Sequence, residues 1–179
     1  MKYNFTSILD RHGKDAIAVD AVGAEGLPFR YPGPKEGFDA IPMWVADMNF
    51  PTVPTVCEAI QKRVAHPAFG YFDPRPEYYE SIIRWQAHRN GVSGLRPEHI
   101  GYENGVLGGL LSAIGTFCSR GDSVLIHSPT YMGFTGSLTN CGYHLVHSSL
   151  VRDEEGIWRM DFEDMEQKIR DNHIHAAVF

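Results

Sequence analysis

Cysteine is scarce: three residues in 179 (Cys57, Cys118, Cys141), an odd count with no CxxC pair. That excludes a disulfide framework and a CxxC zinc or redox centre, and the thiols read as buried groups in a reducing compartment. Long apolar runs are missing as well. No stretch approaches the roughly 18 residues that span a bilayer, and Met1-Lys2-Tyr3-Asn4-Phe5 lacks the apolar centre of a secretion signal. Positive charge is thin. Sixteen Lys and Arg against 22 Asp and Glu leave a net charge of −6, with no basic run or stripe, so nucleic acid and anionic membrane surfaces are poor partners. Neither GxGxxG nor GxxxxGK[ST] occurs, which removes the main support for Rossmann and P-loop readings. No internal repeat or low-complexity tract is present. The expectation is a soluble, cytoplasmic protein.

What is there is ordinary in bulk and informative in pattern. With 43% hydrophobic and 21% charged residues the chain is globular rather than disordered. Residues 1 to 41 hold Gly23, Gly26, Pro28, Pro32, Gly33, Pro34 and Gly37, which predicts an extended arm with turns. Pro54 followed by Val56, Ile60 and Val64 predicts a helix. A second helix is expected from Pro76 to Asn90-Gly91, with Tyr79, Ile82, Ile83 and Gln86 on one face.

From Ile100 the rhythm becomes strand, helix, strand, helix: a short Ile100-Gly101-Tyr102, an apolar helix from Gly105 to Phe117, and a buried strand at Val124-Leu125-Ile126. After Ser128-Pro129-Thr130 come a helix around Phe134 and Leu138, a strand from Tyr143 to Val146, and a turn at Glu154-Glu155-Gly156. Asp161 is placed to cap a helix with Phe162, Met165 and Ile169 on its apolar face, and a last strand starts at Ala176. Such alternation predicts an α/β fold, a mostly parallel sheet wound with helices. The apolar ending Ala176-Ala177-Val178-Phe179 reads as a buried strand, so the chain is expected to be the front part of a longer enzyme.

In open α/β sheets, ligands sit beyond the carboxyl ends of strands, at helix N-termini. Gly105-Val106-Leu107-Gly108-Gly109 opens a helix, where unpaired N–H groups and the macrodipole suit a phosphate; equally, the glycines there permit close helix–sheet packing. Tyr131 follows the buried strand, and its ring there can stack on an aromatic plane for about 0.5–1.5 kcal/mol beyond area burial, or lie in the core beneath the next helix. Taken together, the two junctions describe a pocket for a ligand with a phosphate at one end and an aromatic plane at the other.

With their flanks, these residues resemble the fold-type I pyridoxal-phosphate (PLP) enzymes, and within aminotransferase class I/II the MalY/PatB group of cystathionine β-lyase-like proteins. Pro42-Met43-Trp44-Val45-Ala46-Asp47-Met48-Asn49-Phe50 is similar to that group's MWVADMDF segment. Gly70-Tyr71, Trp85 and His88-Arg89-Asn90-Gly91 resemble its GY…W…RHG stretch, Ser128-Pro129-Thr130-Tyr131 its TPVY, and Met160-Asp161-Phe162-Glu163-Asp164-Met165-Glu166 its MDFEDLE. The resemblance implies PLP as cofactor, with its phosphate on the amides of Gly105, Val106 and Leu107 and its ring under Tyr131. It implies a homodimer in which Tyr71 reaches the neighbouring subunit's cofactor, and an amino-acid substrate beside Trp44, Val45 and Ala46. Trp44 reads equally as an apolar anchor for the arm. Residues 1–50 would form an arm or part of a small domain, and 51–179 the first portion of a PLP-binding large domain.

The implied activity is β-elimination on cystathionine or a cysteine conjugate, giving thiol, pyruvate and ammonia. Aminotransfer on the same scaffold is the alternative, and a truncated, non-catalytic interaction module is the alternative from another class. The sequence departs from the family pattern at the phosphate turn, with Glu103-Asn104 where Thr-Pro is common and Gly108 where Pro is frequent. The Asn-containing loop, the Asp that meets the pyridine nitrogen, the cofactor lysine and the carboxylate-binding Arg of the family all fall after Phe179. Lys2, Lys14, Lys35, Lys62 and Lys168 match no such position and read as solvated charges. His144, His147, His173 and His175 read as solvated or core groups rather than metal ligands, and Asp153-Glu154-Glu155 as the solvated face of a turn.

Overall fold

The computed structural model describes residues 3–25 and 32–179. They form two compact units, one ending at Asp73 and the other running from Pro74 to Phe179. Gly26 and Pro28, expected as turn residues of the arm, lie outside the described residues. The arm boundary expected at residue 50 falls inside the first unit.

The first unit is mostly extended, as its Gly and Pro content predicts, with two helices: α1 (Ile17–Asp20) and α2 (Pro54–Val64). The single turn α1 was not legible in the sequence. It places Ala18 on its buried side, between buried Ala16 and Ala21; side chains this small allow the neighbouring chain to approach. Pro54 opens α2, where its missing N–H costs nothing. The stripe Val56, Ile60 and Val64 forms at the expected spacing, yet all three side chains are exposed.

The second unit opens with α3 (Pro76–Asn90). Gly91 ends it at φ 67°, its N–H and that of Val92 donating to the carbonyls of Ala87 and Gln86, a glycine-dependent C-terminal cap. Tyr79, Ile82, Ile83 and Gln86 are the half-buried positions, as expected. Ile100-Gly101-Tyr102 is no strand: a single 3₁₀ turn at Pro97–His99 precedes it, and the segment finds no ladder partner. The helix α4 then spans Gly105–Phe117, β1 Ser123–Ser128, α5 Met132–Asn140 and β2 His144–Ser149. A short hairpin follows, β3 (Val151–Arg152) with β4 (Trp158–Arg159), and then α6 (Phe162–Asp171) and β5 (Ala176–Val178).

The main sheet has the order β2-β1-β5, with both neighbours parallel to β1. Central β1 is buried on both faces, which explains its unbroken apolar run. On one face Val124 and Ile126 pack with Ile114, Leu138 and Tyr143, beneath α4 and α5. On the other, Leu125 packs with Met165 and Ile174, beneath α6. Helices thus cover both faces. The chain steps from β1 to β2, then returns past β1 to β5, so the direction of winding reverses between β1 and β5.

Asp161 caps α6 by accepting the Asp164 N–H at 3.0 Å, as the sequence predicts. Of the apolar face expected on that helix, only Met165 is buried; Phe162 and Ile169 are exposed. Beside the packing of Met165, polar contacts fasten α6 to the sheet. The Ser148 hydroxyl, fully buried, donates to Asp164 Oδ2 at 2.7 Å. The same oxygen receives Lys168 Nζ at 2.8 Å, and Lys168 also donates to the His147 carbonyl at 2.7 Å. Lys168 is therefore a bonded, half-buried group rather than a solvated charge, whereas Lys14, Lys35 and Lys62 are exposed. The buried-thiol expectation holds for Cys118 alone: Cys57 is exposed and Cys141 half-buried, and all three are free.

Candidate cofactor site

Geometry at the carboxyl edge of the sheet follows from the connections. The five residues 118–122 return the chain from α4 into β1, so α4 runs antiparallel to that strand and its N-terminus stands at the strand's carboxyl end. The helix α5 leaves that same end, packed on the same face. The openings of α4 and α5 therefore share one face and one edge of the sheet, where open α/β folds bind their ligands.

Gly105 begins α4 with φ 75°, a left-handed conformation that glycine adopts freely. Asn104, at the cap position, offers no side-chain hydrogen bond. The Gly105 N–H, the first of the three expected amides, donates to the Glu103 carbonyl at 3.0 Å, so this glycine shapes the turn. The N–H groups of Val106 and Leu107 have no partner within the helix, as its first turn requires, and none elsewhere among the described residues. The Val106 side chain is 81% exposed, so the turn faces open space.

Tyr131 stands three residues past β1, beyond the cis Ser128–Pro129 bond, with 59% of its surface exposed. It is not the core tyrosine that its position also allowed. Its ring is held edge-on against Phe134, centroids 5.3 Å apart at 90°, and folds back over Gly133. One face is thus left available at the sheet edge. The donors of Val106 and Leu107 and the ring of Tyr131 fit a ligand that carries a phosphate on an aromatic ring, which is the make-up of PLP.

The remaining expected site residues belong to the first unit. The Trp44 indole N–H donates to the Ala18 carbonyl at 3.1 Å, so Trp44 does anchor the arm; Val45 is half-buried and Ala46 exposed. The next residue, Asp47, pairs with Arg11 at 2.6 Å, and Arg11 also reaches the Met48 carbonyl at 3.1 Å. The Arg11 hydrogen bond, helped by the Met48 N–H, lowers the Asp47 carboxyl below its usual range. Leu9 donates to the Asn49 carbonyl at 2.7 Å, so this stretch is tied to the arm at three points. Tyr71 is fully exposed between Phe69 and Phe72, and its hydroxyl has no partner among the described residues.

One polar group was missed. His127 is only 7% exposed, and neither ring nitrogen has a hydrogen-bond partner. It sits on β1 opposite Ser148, its ring 5.4 Å from that of Phe179, beside the reversal between β1 and β5. The apolar run of Val124 to Ile126 was the visible signal, and it stops one residue short. His144, His147, His173 and His175 are exposed, and among the described residues no cluster of His, Cys, Asp or Glu is placed to hold a metal ion. Asp153 is more than a solvated turn residue: it accepts the N–H groups of Glu155 and Ile157 and the Arg159 Nε at 2.8 Å. Among the described residues no helix is long and apolar enough to cross a membrane.

Known proteins match this chain in sequence and in fold. The family described as aminotransferase class I and II matches residues 40–179. Cystathionine beta-lyase PatB of Bacillus subtilis is 35% identical over 140 residues, 78% of this chain and 36% of that protein. Protein MalY of Escherichia coli is 24% identical over 92% of this chain and 40% of its own length. The PLP-bound C-S lyase from Staphylococcus hominis superposes with a TM-score of 0.76 at 28% identity, over 99% of this chain and 42% of that one. Cystalysin from Treponema denticola, which contains a PLP cofactor, gives 0.79 at 25% identity, over 99% and 43%. The chain thus spans about two fifths of the relatives it matches.

Proposed function

The chain belongs to the aminotransferase class I and II family, and from that premise we propose that the protein is a PLP-dependent carbon–sulfur β-lyase acting on cystathionine or a related cysteine conjugate. The observation that carries the reading is the pair of unpartnered amides at Val106 and Leu107, on the same sheet edge and face as the exposed ring of Tyr131. The similarity to proteins named as cystathionine beta-lyase and C-S lyase supports the choice of reaction.

When bound, PLP supplies an electron sink for the substrate's Cα. The residues of this chain supply its position. Val106 and Leu107, with the amide of Gly105 as a third donor, would hold the phosphate at the positive end of α4, and Tyr131 would stack on the ring. Fixing both ends of the cofactor fixes the plane against which the Cα–H bond of the substrate must align, and such orientation is worth several kcal/mol of the barrier. Trp44, Val45 and Ala46 would be the residues on the substrate side. Tyr71 donates its hydroxyl to the cofactor phosphate of a second copy in a homodimer. Residues 1–50 serve as arm or small domain, residues 51–179 open the cofactor-binding domain, and the enzyme works in the cytoplasm.

Incubating the full-length protein with cystathionine and PLP tests the reaction. Release of pyruvate together with thiol is the expected result. Accumulation of the amine form of the cofactor without thiol release would make the enzyme an aminotransferase, and no PLP binding at all would leave a non-catalytic module.

A further inference from the structure

Three positions at the turn opening α4 depart from the family pattern, Glu103, Asn104 and Gly108, and the structure brings Glu103 and Gly108 into contact. A Cβ built on Gly108 would stand 3.6 Å from Glu103 Oε2, and one on Gly109 would stand 3.8 Å from Glu103 Cβ and Cγ. The Glu103 side chain therefore lies along the glycine-lined flank of the first turn of α4, with its carboxylate beside the fourth residue of the helix. No hydrogen bond or ion pair neutralises that carboxylate among the described residues. Its own backbone carbonyl meanwhile holds the Gly105 N–H at 3.0 Å.

We propose that Glu103 sets the affinity of this turn for the cofactor's phosphate: its carboxylate complements the positive end of α4 while the turn is empty and repels the dianion when it arrives. The inference rests on the cofactor reading given above. A negative charge near a helix N-terminus is favourable, and near a second anion it is not; both effects act through the same carboxylate, so the site is held in a state that releases its phosphate ligand more readily than the amides alone would. A Cβ at Gly108 would meet the carboxylate at ordinary van der Waals distance, 3.6 Å, so the two positions are neighbours on this flank and the charge of Glu103 is what acts. Glu103 is exposed, so replacing it leaves the core of the unit untouched.

The test is PLP binding to the full-length protein and to Glu103→Gln and Glu103→Lys, measured by calorimetry at low and at high salt. The expected order of affinity is Lys tighter than Gln tighter than Glu, with a gain of about two- to five-fold for Glu103→Gln at low ionic strength. The gain should vanish near 1 M salt, where the screening length falls to about 3 Å. A role confined to packing would weaken binding in both variants, independently of salt, and would overturn the inference while leaving the cofactor reading intact. Equal affinities in all three proteins would do the same. Failure of all three to bind PLP would overturn the cofactor reading and the inference with it.

Discussion

The ring of Tyr131 occupies the space in which a side chain at Gly133 would stand: a Cβ there would be 2.7 Å from Tyr131 Cζ and closer still to Cε1. Absence of a side chain at 133 is therefore a condition for the orientation of the ring. The obstructing atoms are the far end of a rotatable side chain, so Gly133→Ala should move the ring rather than the backbone. The variant should keep its melting temperature within a few degrees and bind PLP about 2- to 10-fold more weakly, the equivalent of losing a stacking contact of about 0.5–1.5 kcal/mol. Binding and melting measured on one preparation separate the two effects.

Gly105 makes a second, different demand. A Cβ at this position meets nothing within 4 Å, so only its φ of 75° opposes substitution. Gly105→Ala should cost about 1–2 kcal/mol, the penalty of a left-handed conformation for an L-residue. Denaturant unfolding measures it. A variant as stable as the parent would show that the turn relaxes without harm.

The Ser148–Asp164–Lys168 cluster predicts a pH dependence. The hydrogen bond from Lys168, then that from Ser148, lower the Asp164 carboxyl in the folded chain. A depressed carboxyl contributes stability that is fully present above the unfolded value of about 3.9 and lost as pH falls through the folded one. Asp164→Asn should therefore be less stable than the parent near neutral pH, and the two unfolding curves should converge below about pH 4. A gap that stays constant down to strong acid would place the loss elsewhere.

His127 predicts the opposite of a usual core substitution. Both ring nitrogens are buried without partners, and an unsatisfied buried polar group costs about 1–3 kcal/mol. Leu at this position should leave stability unchanged or raise it. A drop of more than about 1 kcal/mol on His127→Leu, in the range of a lost hydrogen bond, would reveal a partner for the imidazole.

Much of the second unit was legible because its elements are bounded by residues with local mechanisms. Pro76 and Gly91 fix both ends of α3, Asp161 fixes the start of α6, and β1 reads as a strand because both of its faces are covered. The single turn at Ile17–Asp20 was hidden, since it is stabilised by contacts of Ala16, Ala18 and Ala21 rather than by its own periodicity. The apolar spacing of Phe162, Met165 and Ile169 predicts a buried face, but only Met165 is buried, and Asp164 and Lys168 supply the rest of the hold on α6. Such polar anchors leave no periodic trace. At the site, the turn at Gly105 and the ring of Tyr131 were readable from their place after a strand or before a helix. That the Gly105 amide is taken by Glu103 was not, because a hydrogen bond between near neighbours depends on the dihedrals of the turn.

The most direct measurement is a crystal structure of the full-length protein with PLP bound. The phosphate oxygens should lie within about 3.2 Å of the Val106 and Leu107 nitrogens, and the pyridine ring should lie parallel to Tyr131. A phosphate bound elsewhere, or a Tyr131 ring turned away from the cofactor, would contradict the account.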